Sequence, residues 1–188
     1  MTNPNPVEIV FVIDESGSMN NLRQDVIGGF NTLIADQQKV EGAANVTLIT
    51  FNSKVTRRLD QVDLQTVEAL TEESYVPGGM TAMNDAIGTA IAEVLRDNPA
   101  RAIINIFTDG EENASVEYTT DQIKALVEEA KAKGYQVVFM AANIDVAKVG
   151  TSFGIAKGSM RAFVADAHGL ESAYLTASAS THAYRSGV

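Results

Sequence analysis

From residue 7 to residue 13 the chain is apolar at every position except Glu8. That is the pattern of a strand buried on both faces of a parallel sheet. It stops abruptly at Asp14-Glu15-Ser16-Gly17-Ser18-Met19. Over residues 20–40, Leu22, Val26, Ile27, Phe30, Leu33, Ile34 and Val40 recur at helical spacing, which predicts an amphipathic helix. Residues 46–51 and 54–59 predict two strands, and the short Asn52-Ser53 link makes them a hairpin with one antiparallel member. Residues 60–76 are polar with short apolar pieces and predict only a helical turn near 64–70. A second helical stripe (Ile87, Ala90, Ile91, Val94, Leu95) runs from Met83 and is ended by Pro99. Residues 101–108 repeat the buried-strand pattern and end in Asp109-Gly110-Glu111-Glu112-Asn113. Thr119 with Gln122 is a capping-box signature for a third helix carrying Ile123, Leu126, Val127 and Ala130, with Gly134 beyond its basic last turn. A strand over 136–142, a short helix over 145–153, a weak strand over 161–165 and a closing helix over 168–184 follow, with Thr181 interrupting the last apolar stripe.

Strands alternating with helices predict an α/β fold: a doubly wound, Rossmann-like open sheet of about six mostly parallel strands, with one antiparallel edge strand and helices on both faces. No repeat, linker or low-complexity tract divides the chain, so a single domain over residues 1–188 is expected, with its core over about 7–184. In such sheets ligands sit outside the carboxyl ends of the strands, where the winding reverses. With strand order 3-2-1-4-5-6, the first and fourth strands are neighbours there, and Asp14 and Asp109 emerge one strand spacing apart, ~4.8 Å. The loop Pro77-Gly78-Gly79-Met80-Thr81 crosses the same edge and delivers a threonine hydroxyl at the mouth of a helix.

Composition narrows the function. A chain of 188 residues with 45% hydrophobic content is enough for one well-cored domain. A formal net charge of −10 argues against binding nucleic acid through its phosphates and against docking on an anionic membrane. There is no cysteine and only His168 and His182, which excludes disulfides, thiolate catalysis and zinc clusters and leaves little for Ser/His catalysis. The first residues lack a basic flank and an apolar core segment, and no apolar run approaches a membrane span, so no signal peptide is read and a soluble, cytoplasmic protein is expected.

The candidate chemistry lies at the strand ends. Asp14, Ser16 and Ser18 offer oxygen at every second position, and Gly17 between the serines is expected to let the backbone curl so that they converge. Oxygen-only ligands suit a hard cation such as Mg²⁺ or Mn²⁺ rather than zinc or copper. The same residues also read as an Asp-Ser cap and turn before a helix. Thr81 and Asp109 tip the balance towards a distributed site. Glu15, Glu111 and Glu112 either extend that site or, as more exposed acids do, form a negative rim or plain solvated charge. Asp85 either orients the site from behind or charges the start of its helix. His168 is expected near a helix start and His182 on the surface. Met19, Met80, Met83 and Met140 are read as packing. Asp14, taken as a strand-end residue beside solvent, is expected to be removable at little cost to the fold. Thr81, on a loop, is expected to be the ligand most able to move.

These residues resemble a known family. Asp14-x-Ser16-x-Ser18, Gly78-Gly79-Met80-Thr81 and Phe107-Thr108-Asp109-Gly110 are similar to the three parts of the metal-ion-dependent adhesion site of a von Willebrand factor type A domain, complete in all five positions. The order of the motifs agrees over nearly the whole chain. The resemblance implies that Ser16, Ser18 and Thr81 ligate Mg²⁺ directly, with Asp14 and Asp109 acting mostly through water, and with Mn²⁺ or Ca²⁺ as possible substitutes. It implies a non-enzymatic module that binds a carboxylate of a partner protein through the metal. Met80 and Met83 flank Thr81 where related sequences often have smaller residues. Two other functions compete with this one. A metal-dependent phosphohydrolase of the haloacid-dehalogenase type wants a second aspartate where Ser16 stands, and a virion or cell-surface adhesin is the third possibility.

Overall fold

The computed structural model describes residues 5–187. Six strands form one sheet: β1 (Val7–Asp14), β2 (Ala44–Phe51), β3 (Val55–Asp63), β4 (Ala102–Thr108), β5 (Gln136–Ala141) and β6 (Met160–Ala162). Their order is β3-β2-β1-β4-β5-β6. All neighbours are parallel except β2 and β3, which pair antiparallel. The α-helices are α1 (Arg23–Gln38), α2 (Met83–Asp97), α3 (Thr120–Ala132), α4 (Val146–Ser152) and α5 (Ala167–Ser186). The expected doubly wound α/β sheet, with its antiparallel edge strand, is the architecture observed.

The alternation of side chains along a strand explains why β1 is apolar throughout. Ile9, Phe11 and Ile13 enter one core layer with Phe30 and Leu33 of α1 and Tyr174 of α5. Val10 and Val12 enter the other with Ile87 and Ile91 of α2 and Ile123 of α3. Both faces of the central strand are therefore covered, and its polar end at Asp14 opens only towards the carboxyl edge of the sheet.

Several boundaries shift. A 3₁₀ turn over Gly17–Leu22 precedes α1, so the α-helix proper begins later than expected. The expected turn after β3 shrinks to Leu64–Thr66. Asn98, in the left-handed conformation at φ 50°, closes α2 one residue ahead of Pro99. The capping box of Thr119 and Gln122 is present. β6 is only three residues long, and α5 runs through Thr181 without a break. Thr181 is buried and accepts a hydrogen bond from Asn105 Nδ2 at 3.3 Å, so the interruption of the apolar stripe is a buried polar contact with β4.

Candidate metal centre

The pairing of β1 with β4 places Ile13 opposite Phe107. Carried one step further, that register sets Asp14 level with Thr108, and Asp109 lies one residue beyond. Thr108 Oγ1 donates to Asp14 Oδ2 at 2.6 Å, and the Ser16 backbone N–H donates to Asp14 Oδ1 at 2.7 Å. The Tyr75 hydroxyl donates to the Asp14 carbonyl at 2.6 Å. Asp14 is thus fully buried and held on three sides, not a solvent-facing strand end.

The serines converge as the spacing predicts. Ser16 Oγ and Ser18 Oγ are 3.1 Å apart, and Ser18 Oγ donates to Asp109 Oδ1 at 2.6 Å. Gly17, however, does not take a positive φ. Its value is close approach: its N–H donates to the Gly79 carbonyl at 3.1 Å, and a Cβ at Gly17 would lie 3.4 Å from that oxygen. Gly79 is the residue that needs the left-handed region, at φ 78°.

Thr81 joins the cluster from the other side. A Cβ placed on Gly110 would lie 3.8 Å from both Ser18 Oγ and Thr81 Oγ1. The bare glycine therefore borders a space into which hydroxyls from two different loops face. Thr81 is not loosely held. Its N–H donates to Asn113 Oδ1 at 2.8 Å, and the Asn113 N–H returns to the Thr81 carbonyl at 3.0 Å. The Met80 N–H bonds Ser53 Oγ at 2.9 Å and the Ala82 N–H bonds the Asn52 carbonyl at 2.8 Å. The expectation of a mobile threonine gives way to a backbone tied on both flanks, with the residue itself 5% exposed.

Burial raises the Asp14 carboxyl above its ordinary pKa against the opposing hydrogen bonds from Ser16 and Thr108, and the nearby Asp109 charge adds to the rise. Asp109 is raised by burial as well, with the Ser18 hydrogen bond opposing. Two acids that resist ionisation beside three neutral hydroxyls form a place where a cation relieves electrostatic cost. Among the described residues no cluster of three or more His, Cys, Asp or Glu side chains is arranged to hold a metal ion. A cation at this edge thus depends on the hydroxyls. The donor type fits a hard, oxygen-seeking ion.

The other acids leave the site. Glu15 is 4% exposed, far from a solvated rim. Its carboxylate pairs with Arg58 Nη2 at 2.7 Å and accepts the Val76 N–H at 2.7 Å. Glu112 accepts from the N–H groups of Asn84, Ala114 and Ser115 and from the Ser115 hydroxyl, so it shapes the loop after β4. Asp85 stands in the first turn of α2, where it charges the helix start, and its carboxylate accepts the N–H groups of Val116, Glu117 and Tyr118 at 2.8–2.9 Å. Glu111 alone keeps the solvated role. His168 and His182 are exposed on α5. Met19, Met83 and Met140 are core residues, but Met80 is 51% exposed and packs no core.

Sequence reasoning missed Tyr75, Thr108 and Asn113. A lone large aromatic in the polar stretch 60–76 was the available signal for Tyr75. The hydroxyl directly before Asp109 was the signal for Thr108. Nothing local marks Asn113, whose role depends on a contact 32 residues away.

The model of the von Willebrand factor type A domain matches residues 8–174. The chain belongs to that family. A search of the curated proteins found no match. Among solved structures, the family fold recurs in proximal thread matrix protein 1 from the mussel byssus with a zinc-occupied MIDAS motif, at 15% identity and TM-score 0.71, covering 95% of this chain and 46% of that one. It recurs in the PilB minor pilin from Streptococcus sanguinis at 13% identity and TM-score 0.68, covering 97% of this chain and 62% of that one. The manganese-loaded TRAP protein of Plasmodium vivax is similar at 20% identity and TM-score 0.64, covering 90% of this chain and 72% of that one. The chain thus spans about half the length of the mussel protein and under two thirds of the pilin. At these identities the likeness shows the fold.

Proposed function

We propose that this type A domain is a non-enzymatic protein-interaction module that holds Mg²⁺ through Ser16, Ser18 and Thr81, with Asp14 and Asp109 close behind. A carboxylate from an Asp or Glu of a partner protein completes the metal's shell. The observation that carries the reading is the meeting, beside Gly110, of hydroxyls from two loops next to two buried acids. Two carboxylates balance the charge of a divalent ion, and neutral hydroxyls add none, so the ion keeps its appetite for an external anion. Octahedral Mg²⁺ takes such an oxygen readily, and Mn²⁺ or Ca²⁺ can stand in. The zinc and manganese held by the mussel and Plasmodium relatives support a divalent ion in this fold. The net charge of −10 supports a protein partner over nucleic acid or an anionic membrane.

The phosphohydrolase reading fits less well. The position two residues after Asp14 is Ser16, which supplies no general acid, and both acids at the site are already engaged by Thr108, Ser16 and Ser18. The test is calorimetric titration of Mg²⁺ with and without a peptide bearing an exposed Asp. Linkage requires metal and peptide to strengthen each other equally, and the expected factor is about 5–150. Equal Mg²⁺ affinity in both titrations overturns the carboxylate-bridging proposal.

A further inference from the structure

The metal loops are joined through an ion pair between the buried Glu15 and the partly exposed Arg58. Arg58 leaves the antiparallel strand β3, fixes its Nε on Thr50 Oγ1 at 2.8 Å and reaches both oxygens of Glu15 with Nη2, at 2.8 and 2.7 Å. Glu15 Oε1 also accepts the Val76 N–H. From that point the two loops run alongside each other. The Gly78 N–H donates to the Glu15 carbonyl at 2.9 Å, and the Gly17 N–H donates to the Gly79 carbonyl at 3.1 Å. The segment that carries Asp14, Ser16 and Ser18 is thereby zipped to the segment that carries Thr81.

We infer that Glu15 is a positioning residue: by accepting the Val76 N–H, its side-chain oxygen fastens the Val76–Gly79 segment to the end of β1 and so sets the spacing between Thr81 and the two serines. The inference rests on the metal reading above and adds to it. Glu15 is not a ligand, because Oε1 is taken by Arg58 and Val76 and Oε2 by Arg58. Nor does it act as a free negative charge, since the guanidinium neutralises it at contact distance. What remains is geometry. A charge-assisted hydrogen bond to a backbone N–H is among the stronger ties a loop can have. Residues that hold metal ligands in place commonly change metal affinity about 10–100-fold when removed.

The experiment compares two double variants of the whole chain by Mn²⁺ titration followed by electron paramagnetic resonance. Both remove the ion pair, so both carry the same net charge and leave no unpaired buried charge. E15Q/R58M keeps an oxygen for the Val76 N–H, whereas E15M/R58M does not. The expected result is Mn²⁺ affinity within about threefold of wild type for the first and at least about tenfold weaker for the second. Amide exchange at Gly17 and Gly78 in the metal-free protein should speed up only in the second. Equal affinity in both variants and wild type would mean the tie serves stability alone. Equal losses in both would mean that the ion pair itself, not the tie to Val76, acts on the metal. Either result overturns the inference. If E15M/R58M does not fold, Glu15→Asp asks the same question at constant charge: one methylene shorter, it draws the carboxylate back from Val76 and should weaken Mn²⁺ binding, and wild-type affinity contradicts the proposal. Ser18→Ala is the control for the underlying reading. If it binds Mn²⁺ as wild type does, the metal site itself is misplaced, independently of Glu15.

Discussion

A single atom type decides most of what happens at Asp14. Its carboxylate is an acceptor for Thr108 and Ser16, so the fold uses it even without a cation, and yet burial holds its pKa up. Those two facts set the outcome of Asp14→Asn. The amide oxygen still accepts the Ser16 N–H, and the amide group still meets the Thr108 hydroxyl, which can donate instead to the Gly110 carbonyl at 3.3 Å. The change removes a buried charge near Asp109. Metal-free Asp14→Asn should therefore melt within about 1 kcal/mol of wild type, or above it, while Mg²⁺ binding is lost. A much lower melting temperature, or unchanged Mg²⁺ affinity by calorimetry, contradicts this. Asp14→Ala is a harsher change than strand-end exposure suggested, because it leaves the buried Ser16 N–H without its acceptor.

At the scale of elements, loops that look unconstrained in the sequence are tied by acids that look merely exposed. Asp85, in the first turn of α2, gathers three successive N–H groups from the loop that precedes α3. Asp85→Ala strands those donors, and the cost should be at least about 2 kcal/mol in urea unfolding, with faster amide exchange at residues 116–118. A loss below about 0.5 kcal/mol would show that water replaces the carboxylate freely. The same contrast explains what could be read in advance. β1, β2, β4 and β5 announce themselves because burial on both faces demands unbroken apolar runs. β3 was drawn too short, since most of its side chains are exposed and its pattern carries little hydrophobic signal beyond Leu59. That Asp14, Ser16, Ser18 and Asp109 would come together was legible, because the serine spacing is local and strand order sets β1 beside β4. Glu15, Asp85, Glu112 and Asn113 were not, because each is defined by a backbone N–H tens of residues away, and an acid carries no mark of its distant donor.

The molecule has two chemically different poles. The carboxyl edge of the sheet gathers hydroxyls and acids, and the opposite edge buries Glu8, the one polar residue in β1 before Asp14. Burial, helped by the charges of Asp60 and Asp97 and opposed by the Thr47 hydroxyl, pushes the Glu8 carboxyl up to about 7 from 4.5. Because the folded value is raised, the fold prefers the neutral acid: its contribution to stability is full below about pH 4.5, falls through the interval to about 7, and is gone above it. Glu8→Gln should thus stabilise the protein by about 1–3 kcal/mol at pH 8.5 relative to wild type, and by much less at pH 5, in matched urea titrations. The same difference at both pH values contradicts a buried neutral acid. At the other pole, the decisive experiment is a crystal structure of the Mn²⁺-soaked protein with anomalous data. One principal peak is expected about 2.0–2.2 Å from Ser16 Oγ, Ser18 Oγ and Thr81 Oγ1, with Asp14 and Asp109 alongside. A principal peak anywhere else on the molecule would contradict it.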